Sequence, residues 1–171
     1  MEQLKDKVIL IGMPGCGKST LGQTLAKRLN YNFYDMDTCI EQRSGEKVPA
    51  LFLKGEEIFR DWESKVCHEL CQKSRVVIAS GGGVVERPEN VQALQKAGVT
   101  IFIDRPIGEI MKDINMTTRP LLKAGVHKLL EQYFKRIHLY KKAAHILVTN
   151  DGDIEQVLNQ IKEQLKGKIK E

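Results

Sequence analysis

The eight residues Gly12 to Ser19, GMPGCGKS, follow the apolar run Val8 to Ile11 and lead into a stretch of helical periodicity. The pattern G-x-x-x-x-G-K-[ST] suits a loop whose glycines let backbone N–H groups turn inward around a polyphosphate. Lys18 then reaches the outer phosphates and the Ser19 hydroxyl ligates Mg2+. The surroundings fit, because a buried strand runs into the loop and Leu21, Leu25, Ala26 and Leu29 form an apolar stripe behind it.

The rest of the chain alternates strand and helix. Val8 to Ile11, Asn32 to Asp35, Val76 to Ser80, Thr100 to Ile103 and Ile146 to Thr149 are short runs rich in valine, isoleucine and aromatic residues. Near-continuous apolar strands predict a five-stranded parallel sheet covered on both faces, an α/β architecture. Helices are expected at about 18–29, 37–43, 56–73, 88–96, 106–114, 127–142 and 153–166. The last has Ile154, Val157, Leu158, Ile161 and Leu165 on one face, Asp151 or Asp153 as cap and Gly167 as stop. A length of 171 residues suits one domain, and no repeat or linker interrupts it.

The N-terminus is charged, and no apolar stretch approaches the roughly 20 residues of a membrane span. A cytoplasmic protein is expected, with no membrane association and with Cys16, Cys39, Cys67 and Cys71 as free thiols. The net charge of +5 owes much to Lys162, Lys166, Lys168 and Lys170, which follow or close a helix and complement its carbonyl end. It does not predict a nucleic-acid partner.

Open parallel sheets bind ligands beyond the carboxyl ends of their strands, and three further motifs fall there. Asp35-Met36-Asp37 ends the second strand, where alternation along extended chain would point both carboxylates to one side, able to hold a hydrated metal and orient an acceptor hydroxyl. Alternatively, Asp37 caps the next helix. Ser80-Gly81-Gly82-Gly83 ends the third strand and strips side chains from the surface, so that a ligand can approach the backbone; the alternative is a flexible turn. This strand does not end in aspartate, so Asp35 is the natural metal-supporting carboxylate. Thr118-Arg119-Pro120-Leu121-Leu122 lies in a 115–125 stretch that breaks helical periodicity, where an arginine can close over phosphates. Two more arginines, Arg60 and Arg136, lie on helices. Arg60 either forms an i,i+3 pair with Glu63, worth about 0.3 kcal/mol, or offers a guanidinium fork to a ligand carboxylate walled off by Phe52 and Phe59.

GMPGCGKST, DMD, FRDWE, GGG, RPLL and KRIHLY occur in the order and approximate spacing of shikimate kinases, and the chain resembles that family along essentially its whole length. The resemblance implies a three-layer P-loop kinase fold of the nucleoside-monophosphate-kinase type, with a helical substrate-binding insertion at about 36–63 and a lid at about 112–125. It implies that ATP and shikimate give ADP and shikimate 3-phosphate, on the way to aromatic amino acids. Carried over by position, Lys18 and the Gly15, Cys16, Gly17, Ser19 and Thr20 backbone hold the triphosphate, and Ser19 ligates Mg2+ with Asp35 acting through water. Asp37 takes the acceptor hydroxyl, positioning it first and accepting its proton late. Arg60 and Arg136 clasp the shikimate carboxylate, Gly81, Gly82 and Gly83 contact the ring hydroxyls, and Arg119 covers the phosphates. Lys112 stands where an arginine often flanks the adenine.

Cys67 and Cys71, one helical turn apart beside an apolar face, read as core residues and not as a zinc site. Cys16 predicts a thiol shielded from alkylation by bound ATP. A monomer is expected, since no apolar seam is evident. Two other functions suit the loop alone, a sister kinase for an acid such as gluconate and a nucleotide-switched regulatory or nucleic-acid-binding module. The latter would be expected to show an N-K-x-D base-reading motif, which is absent.

Overall fold

The computed structural model describes residues 2–117 and 122–171. Strands β1 (Lys7–Ile11), β2 (Asn32–Asp35), β3 (Val76–Ala79), β4 (Val99–Asp104) and β5 (Ile146–Thr149) form one sheet. Its order is β2-β3-β1-β4-β5, and every pairing is parallel. The connecting helices are α1 (Lys18–Leu29), α2 (Met36–Ser44), α3 (Val48–Lys54), α4 (Glu56–Cys71), α5 (Pro88–Ala97), α6 (Ile107–Thr117), α7 (Leu122–Ala143) and α8 (Ile154–Leu165), with a short 3-10 turn at Val84–Glu86. Helices α1 and α8 pack together, α1 over β1 to β3 and α8 over β5, while α5 and α7 lie against β4, which gives three layers.

The central strands are buried along almost their whole length: Ile9, Leu10, Val77, Ile78 and Ile101 are fully enclosed. Each such aliphatic side chain contributes about 1.5–3 kcal/mol by leaving water. The edges differ from the expectation of a sheet covered on both sides. Strand β5 alternates, with Ile146 and Val148 buried and Leu147 46% exposed, and Phe33 and Tyr34 of β2 are half-buried. An edge strand has one neighbour and a narrower share of the covering helices, so its outer residues stay wet.

Helix ends follow their capping residues. Asn30 closes α1 in the left-handed region at φ 56°, and Asp153 opens α8 by accepting the Gln156 N–H at 3.1 Å. Ile154, expected in the buried stripe of α8, is 42% exposed, because it opens the helix ahead of Val157, its first buried residue. Helix α3 was not legible in the sequence: seven residues with their apolar positions contiguous and Pro49 in the first turn show no helical stripe. The expected break over 115–125 is narrower, since α6 runs to Thr117 and α7 starts at Leu122. Gly125 reads as a breaker, yet near a helix start a glycine costs at most about 1 kcal/mol. Residues 118–121, including Arg119, lie outside the described residues. No described helix is long and apolar enough to cross a membrane.

Candidate active site

The sheet order places β1 between β3 and β4, so the loop after β1 and the glycine run after β3 emerge side by side, with Asp35 at the end of β2 beyond them. Gly15 and Gly17 bend the loop through the left-handed region at φ 83° and 100°, which a side chain would strain. Gly17 caps α1 without any side-chain hydrogen bond, leaving the N–H groups of the first turn available to an anion. Two tethers hold the loop from behind: Asn150 Nδ2 donates to the Cys16 carbonyl at 2.9 Å, and Arg105 Nη1 donates to the Gly15 carbonyl at 2.8 Å. Lys18 is buried and donates to the carbonyls of Gly12 at 2.6 Å and Met13 at 3.0 Å. Ser19 and Thr20 are exposed at the loop's outer side.

Asp35 ends β2 and Met36 opens α2, so Asp35 and Asp37 do not alternate along extended chain as expected. The first carboxylate is the cap of α2, with Oδ1 accepting the Thr38 N–H at 3.2 Å, and the second falls in the helix's first turn. Both nonetheless line the cleft in front of the phosphate loop. Asp35 Oδ2 accepts the Ser19 hydroxyl at 2.5 Å, which places a hydroxyl and a carboxylate oxygen together where a hard cation needs them.

A second cleft, about 540 Å3, opens beyond Asp37 between α3, α4, the 3-10 turn and α7. Helix α4 turns Phe59, Arg60, Glu63, Val66, Cys67 and Leu70 inward as one stripe, so a charged pair rides on an apolar face. Arg60 Nη1 donates to Glu63 Oε1 at 2.8 Å, while its guanidinium lies 5.2 Å from the Phe59 ring centroid and 5.9 Å from that of Phe52. The i,i+3 pair and the aromatic wall, alternatives in the sequence, coexist. Arg136 approaches from α7, and both guanidiniums reach Glu86 Oε2, Arg60 Nη2 at 3.1 Å and Arg136 Nη2 at 2.9 Å.

The three glycines make room mainly for protein side chains. A Cβ on Gly81 would fall 2.7 Å from Glu63 Oε2 and 3.3 Å from Asp37 Oδ1, and one on Gly83 would overlap the Arg60 guanidinium. Gly81 and Gly83 are buried and Gly82 is half-exposed, and all three line the acceptor cleft. Tyr140, fully buried, donates its phenol to the Gly82 carbonyl at 2.5 Å and fixes that residue.

Charge is unevenly matched. Partial burial pushes the Asp37 carboxyl above its ordinary value and nearby Asp35 adds to this, with Lys18 and Arg60 opposing. Glu63 is likewise pushed up, chiefly by burial against the pull of Arg60, and its Oε2 has no hydrogen-bond partner among the described residues. Glu86 moves the other way: burial opposes ionisation, but Lys135, Arg136 and Arg60 together hold its carboxyl below the usual range.

A sequence model of the family described as shikimate kinase matches residues 14–166. The chain is 47% identical over 159 residues to a shikimate kinase of Clostridium botulinum (strain Eklund 17B / Type B), covering 93% of this chain and 96% of that one. It superposes on the solved shikimate kinase from Acinetobacter baumannii in complex with shikimate with a TM-score of 0.87 and 31% identity, over 97% and 96% of the two chains. The chain belongs to the shikimate kinase family. Its activity is the ATP-dependent phosphorylation of shikimate, a step of aromatic biosynthesis. A gluconokinase from Sinorhizobium meliloti 1021 shares the fold alone, at 13% identity and a TM-score of 0.60 over 96% and 94% of the chains.

Lys112 is exposed and pairs with Glu109 at 2.8 Å on the outside of α6, and Arg119 falls outside the described residues. The Cys16 thiol is fully buried, turned toward Gly12 and Lys18, so it is shielded by the protein itself and not by nucleotide as expected. Glu63, Glu86, Tyr140, Arg105 and Asn150 were not singled out as site residues from sequence. Glu63 lies within FRDWE, one turn after Arg60, and Tyr140 within KRIHLY, one turn after Arg136; the others act across 50 or more residues or through a turn the periodicity does not show.

Proposed function

We propose that Asp37 positions the 3-hydroxyl of shikimate against the γ-phosphate of ATP, giving shikimate 3-phosphate and ADP. The observation that supports this reading is that the phosphate-loop cleft and the acceptor cleft share Pro14, Asp37, Gly81 and Gly82. Asp37 therefore stands where the two substrates would meet. Its role is orientation first and proton acceptance late, as a loose phosphoryl transition state requires.

The donor side is the loop. Lys18, Gly15 to Thr20 and the open end of α1 take the triphosphate, whose oxygens would compete with the Gly12 and Met13 carbonyls for the Lys18 ammonium. Lys112 and Arg119 are assigned to the nucleotide, the adenine edge and the phosphates respectively. The paired oxygens of Ser19 and Asp35 fit Mg2+, which supplies charge neutralisation on the phosphates when bound. On the acceptor side, Arg60 and Arg136 take the carboxylate and the Gly81 to Gly83 backbone approaches the ring hydroxyls. The shikimate carboxylate supplies the acceptor these donors need, since Arg136 Nε is buried with no partner among the described residues.

The chain is read as one kinase domain with its acceptor insertion at about 36–63 and a lid at about 112–125. A cytoplasmic monomer is proposed, supported by four free cysteines and by exposed apolar residues that are few among the described ones. Coupled ADP release with shikimate, gluconate and no acceptor tests the assignment. Turnover is expected with shikimate only, and equal release without acceptor would overturn it.

A further inference from the structure

We propose that Glu86 is a positioning residue for acceptor binding: it locks the Arg60 and Arg136 guanidiniums side by side as a preformed receptor for the substrate carboxylate. The proposal rests on the reading that those two arginines take the carboxylate of shikimate.

The geometry is a three-element junction. Glu86 comes from the turn after the glycine run, Arg60 from α4, and Arg136 and Lys135 from α7. One carboxylate oxygen, Oε2, accepts from both guanidiniums, and the other, Oε1, meets Lys135 Nζ at 2.5 Å. The two arginines are 6% and 5% exposed, so without a shared anion their charges would face each other across a low-dielectric gap. With Glu86 between them, repulsion becomes attraction, and two rotamer-rich side chains are ordered before any ligand arrives.

Glu86 does not behave as a rival for the substrate's place. A competing carboxylate has to leave, whereas this one is 13% exposed and tied at both oxygens by three cations. Its bond to Arg136 uses Nη2 and leaves Nε, buried and without an acceptor among the described residues, as a donor on the same guanidinium. Charge counting agrees. Glu56, Glu63 and Glu86 balance Arg60, Arg136 and Lys135, so the junction is neutral before ligand arrives and two bare guanidiniums are not buried together.

Shikimate binding to the full chain is titrated by calorimetry for wild type, Glu86→Gln and Glu86→Ala, alongside steady-state kinetics and thermal melts. The Kd and KM for shikimate are expected to rise about tenfold or more in Glu86→Ala and less in Glu86→Gln, which keeps shape and one acceptor. The KM for ATP stays within about twofold, and kcat changes far less than the shikimate KM. The primary amide of shikimate separates positioning from general damage: the preference for the acid over the amide should shrink in Glu86→Ala, whereas a loosened fold would weaken both alike. An unchanged or tighter Kd, or equal losses for acid and amide, overturns the proposal. Failure of the underlying reading shows differently, as wild-type protein that binds shikimate and its amide equally well, and takes the proposal down with it.

Discussion

The Ser19 hydroxyl donates to Asp35 Oδ2 at 2.5 Å, joining the first turn of α1 to the cap of α2 across the mouth of the phosphate loop. A carboxylate so placed orients a metal ligand and adds charge behind it, and removing such support commonly costs 10–100-fold in metal affinity. Asp35→Asn is therefore expected to raise the Mg2+ concentration for half-maximal turnover by about tenfold. A Mg2+ titration of kcat at fixed ATP reads this out, and an unchanged midpoint would remove Asp35 from the metal site.

Asp37 makes a prediction about pH. Its carboxylate must be ionised to accept a proton, and its carboxyl is raised above 3.8 by burial and by Asp35, so protonation sets in at higher pH than for an ordinary aspartate. Activity should fall as pH drops through that raised value, and the acid limb of kcat/KM should lie above that of an ordinary aspartate. Asp37→Asn should lower kcat by about 100-fold without lowering Tm. Near-full kcat with only KM raised would leave orientation as its sole role.

Much of this arrangement was legible in the chain, for reasons that differ by residue. Gly17, Lys18 and Ser19 announce themselves because the phosphate-loop pattern is contiguous, and the strand before it and the stripe behind it fix its setting. Arg60 and Glu63 are one turn apart, so their pairing is local. Glu86 was silent, and KRIHLY flagged Tyr140 without its task. Glu86 acts on Arg60 and Arg136, 26 and 50 positions away, and Tyr140 on Gly82, 58 away, distances at which neither a glutamate in a turn nor a tyrosine in a helix names its partner. The aspartate pair was misassigned in geometry because a helix cap two residues earlier ended the strand, and capping by Asp35 outcompeted continued extension.

Glycines separate crowding from propensity. Gly83→Ala would press a methyl into the buried Arg60 guanidinium and is expected to destabilise by about 1–3 kcal/mol while raising the shikimate KM. Gly108 in α6 has nothing within 4 Å of an added Cβ, so Gly108→Ala should be neutral or stabilising by up to about 0.5 kcal/mol. Thermal melts of the two variants should move in these opposite senses.

Thiol labelling should find Cys71 first. It alone of the four cysteines is half-exposed, and its hydrogen bond with Cys67 lowers its thiol while pushing that of Cys67 up. One thiol per chain is expected to react rapidly under native conditions, identified by peptide mapping, at a rate that ATP does not change. Rapid ATP-sensitive labelling of Cys16 would contradict its buried placement.

The parallel pairing of β1 with β3 has an engineering consequence. Adjacent strands stand roughly 4.8 Å apart because backbone hydrogen bonds set that spacing, whatever side chains they carry. The step between the phosphate loop and the Gly81 to Gly83 segment is thus dictated by the main chain, while Arg60 and Arg136, proposed to take the acceptor's acid group, hang on α4 and α7, outside the sheet. Recognition and reach are separate modules. A redesigned α3–α4 segment could change which small acid is phosphorylated while leaving the transfer distance untouched.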